Sequence, residues 1–151
     1  MHRTAVLTST MTGLAALAGA AGTKTDTSWY RTLEKPFWQP PSSVFPLVWT
    51  PLYGLIAWGS ARLADRAPDR GRVLLLTAAD LTVNAGWCWM FFDRRSTSKG
   101  LATIALLDAL NAVLLGKAAR SDRGAAMALA PYAAWTAFAT VLNASIWRRN
   151  R

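Results

Sequence analysis

A few side chains that hydrocarbon tolerates poorly sit inside long apolar stretches of this chain, and their spacing is regular. Asp80, Asn84, Trp87 and Phe91 follow one another at steps of four, three and four residues. On a helix that spacing puts all four on one face. Tyr132, Trp135, Ala139 and Asn143 repeat the pattern at steps of three, four and four, and Trp49 with Tyr53 forms a shorter third stripe. Aromatic walls carrying a few fixed polar groups describe ligand sites generally. They suit a flat, conjugated or polycyclic molecule through stacking. Each residue singly also reads as an interhelical contact, with Asn and Tyr as hydrogen-bonding glue and Trp as packing. As a set they favour a pocket, with the small Ala139 leaving room between bulky neighbours.

Asp80 and Asp108 are the ionisable groups deep in the apolar stretches. A carboxyl there either bonds a nearby amide or serves as a proton relay or ligand contact. The amide is the expectation, because Asn84 and Asn111 lie one turn away and no Lys or Arg stands beside either carboxyl within its stretch. The single cysteine, Cys88, rules out an intrachain disulfide and a multi-cysteine metal cluster. Beside Trp87, without an activating base, it reads as packing. The lone His2 cannot by itself anchor a metal site or a catalytic triad. No metal and no required cofactor is expected, no catalytic residue is assigned, and binding ranks above catalysis.

These stripes need helices long enough to carry them. The 151 residues are 52% hydrophobic and 17% charged, against roughly 25% charge in ordinary soluble domains. Crossing a bilayer core takes roughly 20 apolar residues of helix. Five such windows exist, at about 4–22, 44–64, 73–92, 100–118 and 124–147. They predict one all-α membrane domain over 1–151, a bundle of five transmembrane helices whose short links make sequence neighbours antiparallel. The first window has a rival reading as a signal peptide, with Arg3 ahead of it and Ala18-Gly19-Ala20 as a small-residue cleavage site. Its Thr and Gly content favours a span packed closely on other helices.

The formal net charge of +9 is distributed at the ends of the windows. Nucleic-acid binding needs cations gathered on one face, whereas helix ends are where a bilayer protein meets anionic headgroups. The bilayer is therefore the expected partner, and nucleic acid is not. Orientation does not follow, because eight cations fall on one side and nine on the other. The break at 23–43 contains Pro36, Pro40 and Pro41 together with Trp29, Tyr30, Phe37 and Trp38. Proline bars a continuous helix there. An aromatic loop is either part of the interfacial belt or a stiff, ordered lid over a pocket, and the lid is favoured.

The stretch Trp29–Leu63 carries a leading W-Y, then L-x-K-P, W-x-P-P, V-F and W-T-x-L-Y. The third span holds N-x-x-W-x-x-x-F-F from Asn84 to Phe92, and the fifth P-Y-x-x-W-x-x-x-A-x-x-L-N from Pro131 to Asn143, followed by W-R-x-N. In this order the motifs resemble the TspO/MBR family of tryptophan-rich sensory and translocator proteins. The resemblance covers about four fifths of the chain. It implies a five-helix bundle, commonly a homodimer, with a pocket under the first loop. It also implies a multi-pass protein of a bacterial membrane that binds protoporphyrin IX or a related tetrapyrrole as a receptor in porphyrin or stress regulation.

Carried over by position, the pocket would comprise Trp29, Trp38, Trp49, Tyr53, Asn84, Trp87, Trp135, Ala139 and Leu142, with Phe37 beside Trp38 where relatives often have a second Trp. That replacement weakens any tryptophan-based photochemistry there, and Asp80 stands in place of a usual Gln. Ala144 and Ser145 occupy the stretch where a sterol motif would need a Tyr before Arg148, which counts against sterol binding. Photo-oxidative breakdown of bound porphyrin and small-molecule transport are the alternatives that the resemblance brings. Paired broken helices of the kind that mark transporter sites are not seen.

Overall fold

The computed structural model describes residues His2–Arg151. Among them, five long helices carry the fold, and each matches one of the apolar windows. α1 spans His2–Gly22, and a short α2 (Ser28–Thr32) lies in the loop after it. α3 spans Val44–Arg66 and α4 spans Arg70–Cys88, the latter running on into a π-helical turn at Trp89–Asp93. α5 (Thr97–Ser121) and α6 (Arg123–Arg149) complete the bundle.

The helices extend past the windows by up to about a turn, because polar residues outside them start and carry the ends. Asp69 accepts from the Arg72 amide at 3.0 Å, Ser96 from the Lys99 amide at 3.2 Å, and Asp122 from the Ala125 amide at 2.8 Å. Each satisfies a donor that a helix N-terminus leaves open. Asp122 is also the whole link between α5 and α6 and pairs with Arg62 of α3 at 2.6 Å. The Arg62 guanidinium and the Ala125 amide hold its carboxyl below the usual carboxylate range. α3 and α6 run through Pro51 and Pro131 without a break, as membrane helices tolerate.

Neighbouring helices form a ring in the order α1, α3, α6, α5, α4, with α3 also touching α4 across it. α1 fits between α3 and α4 because the face it presents is made of Thr4, Thr8, Thr12, Ala15, Gly19 and Gly22, all buried. Thr8 Oγ1 donates to the Ala57 carbonyl at 2.8 Å and Thr4 Oγ1 to Asp65 at 2.7 Å. A Cβ on Gly22 would come within 2.9 Å of the Trp89 ring. Small residues of this kind let membrane helices approach closely. The outward faces are apolar instead: Leu14, Leu17, Leu47, Leu75, Leu106 and Met127 are exposed large hydrophobics on five different helices. A water-soluble bundle would bury such side chains; hydrocarbon accepts them. The protein is a multi-pass integral membrane protein.

The interior has three layers along the axis. Leu63, Val73, Leu114 and Leu129 fill one end, and Ile56, Leu81, Leu107 and Tyr132 the middle. Phe91, Phe92, Leu142 and Ile146 fill the end under the 23–43 loop. There Gly100 permits α5 to meet the π-helical turn. A Cβ on it would lie 2.7 Å from Phe91 Cδ2 and 3.0 Å from both Phe91 Cβ and Asn143 Oδ1. Because Phe91 Cβ is tied to its backbone, the clash has little room to relax. Gly100→Ala should therefore destabilise by about 1–3 kcal/mol, read as a lowered thermal midpoint in detergent. An unchanged midpoint would show that this contact is not tight.

Candidate functional site

Near the middle of the bundle, the stripes of α3, α4 and α6 converge on a line of hydrogen bonds. Tyr53 Oη donates to Asn84 Oδ1 at 3.2 Å, Asn84 Nδ2 donates to Tyr132 Oη at 3.0 Å, and Tyr132 Oη donates to Asp80 Oδ2 at 2.9 Å. The Asp80 carboxyl thus takes a tyrosine hydroxyl from α6, and not the Asn84 amide that its spacing suggested. Asp108 likewise accepts from Thr140 Oγ1 at 2.6 Å, while Asn111 donates to Thr136 at 3.2 Å. In both cases a hydroxyl on α6 reaches the carboxyl more directly than an amide on the carboxyl's own helix. Trp49 stacks on Tyr53 with centroids 5.4 Å apart and meets Tyr132 edge-on.

Toward the loop, the walls become aromatic. Trp87 Nε1 donates to Asn143 Oδ1 at 3.0 Å, and Asn143 Nδ2 donates onward to the Thr97 carbonyl at 3.0 Å. A small chamber of about 30 Å³ lies here, its lining including Tyr30, Phe45, Trp87, Phe91, Ala139 and Leu142. The loop closes it. Trp29 meets Phe91 edge-on at 5.7 Å, and Tyr30 packs on Phe91 and Phe92. Burial raises the Tyr30 phenol above its ordinary range, and Gln39 Nε2 donates to its hydroxyl at 3.2 Å.

The lid is held at two points. Lys24 pairs with Asp93 at 2.5 Å. The Asn150 side chain brackets the Glu34 backbone, accepting from its amide at 3.0 Å and donating to its carbonyl at 2.9 Å. Replacing Asn150 by Ala removes both bonds. At about 1 kcal/mol of net stabilisation, the lid-open population should rise roughly fivefold, and with it cleavage by trypsin after Arg31, in the short loop helix α2. Equal cleavage rates in the two proteins would mean that Asn150 is not the latch.

The sequence-derived pocket set falls into distinct places. Trp87, Ala139 and Leu142 line the chamber, and Trp29 does not, packing instead on its lining residue Phe91. Trp49, Tyr53 and Asn84 belong to the deeper hydrogen-bonded line. Trp135 stands between Phe45 and Phe138 at 6.0 and 5.2 Å, its indole N–H buried without an acceptor among the described residues. Trp38 turns outward onto Phe138 at 5.9 Å and is 37% exposed, while Phe37 is 97% exposed and touches neither chamber nor line. Tyr30, Gln39 and Phe45 line the chamber without having been singled out for it. Only the aromatic density of the loop hinted at Tyr30, and nothing in the spacing marked Gln39.

The profile of the TspO/MBR family matches residues 5–148. A tryptophan-rich protein TspO of Chlorobaculum tepidum is 35% identical over 137 residues, covering 88% of this chain and 87% of that one. A tryptophan-rich sensory protein of Cereibacter sphaeroides is 35% identical over 122 residues, covering 81% and 77%. A human translocator protein is 33% identical over 126 residues, covering 81% and 75%.

Proposed function

The chain belongs to the TspO/MBR family, and from that premise we propose that it is a receptor for tetrapyrroles of the protoporphyrin IX type, acting as a sensor in a bacterial cell membrane, as a homodimer. The observation that carries this reading is the latched aromatic lid resting on an aromatic bundle end. Trp29, Tyr30 and Trp38 each lie against a phenylalanine of that end, so a flat conjugated ligand meets ring faces and edges wherever it approaches. The name of the sensory relative from Cereibacter sphaeroides supports the sensor role alone.

The small volume of the chamber sets how sensing would work. Sites for drug-sized ligands run to about 300–1,000 Å³, whereas this one holds about 30 Å³. A tetrapyrrole enters it only by lifting the lid, so ligand and latch compete, and the lid position is the two-state element that reports binding.

Titration of the purified protein in detergent with protoporphyrin IX tests the reading, with saturable quenching of tryptophan fluorescence expected. Absence of saturable quenching would reject the ligand class. Illumination of the complex separates a receptor from a photochemical enzyme. A stable Soret band is expected, and conversion to a new product that depends on tryptophan would favour the enzyme.

A further inference from the structure

A second concavity, outside the bundle, is already open. It is a groove of about 590 Å³ beside the lid tip, lined by Trp38, Val141, Ala144, Ser145, Arg148 and Arg149. Resting on the tetrapyrrole reading above, we propose that this outer groove is a docking site for a dicarboxylate tetrapyrrole while the lid is closed. Arg148 and Arg149 would take the two carboxylates, and Trp38 with α6 would hold the macrocycle.

Three features argue for that occupant. The first is size, since the groove lies within the usual range for such ligands and the chamber lies an order of magnitude below it. The second is polarity along the groove. Its charged end is the last turn of α6, where the two guanidinium groups are exposed. Guanidinium forks match carboxylates bidentately. Its far end is Thr140, whose hydroxyl is already committed to Asp108. Eight residues of helix separate Thr140 from Arg148, about 12 Å. An anionic group is therefore drawn to the arginines and kept from the aspartate. The third is the apolar middle, formed by Val141, 60% exposed, and by the partly exposed Trp38 ring, which Phe138 contacts edge-on. That arrangement leaves aromatic surface for a flat ring system. A molecule so placed keeps its carboxylates at the level of the helix end and its macrocycle against lipid-facing surface, the orientation that an amphiphile adopts in a membrane.

The test compares protoporphyrin IX with its dimethyl ester, which keeps the macrocycle and lacks the charges, by fluorescence quenching in nonionic detergent. Exposed ion pairs are individually weak. The native protein should bind the diacid roughly 2- to 30-fold more tightly than the ester, and Arg148→Gln/Arg149→Gln should lose that preference. Ala144→Trp, which fills the groove from the helix surface, should weaken the diacid as well. Arg120→Gln, a cation removed at the opposite end of the bundle, should bind as the native protein does. Equal binding of ester and diacid by the native protein, with full-strength binding by Ala144→Trp, overturns the groove. Those two measurements decide even if the double variant fails to fold. If the native protein binds neither compound, the tetrapyrrole reading itself falls.

Discussion

Replacing Tyr132 by Phe should cost about 2–4 kcal/mol of unfolding free energy, although it deletes a single oxygen. That oxygen serves two buried partners: it donates to Asp80 Oδ2 at 2.9 Å and accepts from Asn84 Nδ2 at 3.0 Å. Asp80 Oδ1 has no other partner among the described residues, so the variant would leave the whole carboxyl unbonded in the middle of the bundle. Leaving a buried group unsatisfied costs more than the bond itself contributes, whereas removing both partners together costs far less. Tyr132→Phe/Asp80→Leu should therefore be more stable than the sum of its single variants, with a coupling of at least about 1 kcal/mol. The measurement is a double-mutant cycle on unfolding in detergent, followed by circular dichroism. Simple additivity, or a Tyr132→Phe effect within about 0.5 kcal/mol of zero, would show that the line Tyr53–Asn84–Tyr132–Asp80 is not a cooperative unit.

Ala139→Leu is the second substitution with a large expected effect. Ala139 is 5% exposed, and the chamber it borders holds about 30 Å³. Three added carbons do not fit without displacement, and overpacking of this kind costs about 1–3 kcal/mol. On one side of the chamber stand Trp87, fixed by its bond to Asn143, and the turn carrying Phe91. On the other stands the loop residue Tyr30, whose segment is held to the bundle by the Asn150 bracket, the Lys24 pair and ring contacts. The loop is the part that can yield. The expected result is a lowered thermal midpoint together with faster trypsin cleavage after Arg31. A lowered midpoint with unchanged cleavage would mean that the strain goes into the helices, and that the chamber is a helix seam rather than a lidded space.

Helix positions were legible in the sequence because spanning hydrocarbon sets a minimum apolar length, and five windows met it. Their ends were less so: Asp69, Ser96 and Asp122 start helices by capping, which average hydropathy does not register. Which residues share a face was equally readable, since helical period alone puts Asp80, Asn84 and Trp87 together. Period is blind to the facing helix, however. Asp108 found Thr140 because α6 packs beside α5, and Asp80 on α4 found Tyr132 because that long side chain reaches across the bundle interior from α6.

The loop shows the same division most sharply. Its prolines and aromatics marked it as stiff and as needing something to pack on. Without a repeating backbone geometry, a loop has no rule that says where each ring points. Trp29 and Tyr30 went in over Phe91, Trp38 went out onto Phe138, and Phe37 went to the surface. Five membrane helices, their aromatic stripes and the family resemblance follow from the order of residues alone, because bilayer thickness and helical period act locally along the chain. That the inner chamber is nearly full, and that Trp38 lines one open groove with Arg148 and Arg149, emerged with the packing of the helices and the loop. Both depend on where residues from distant parts of the chain come to rest against one another.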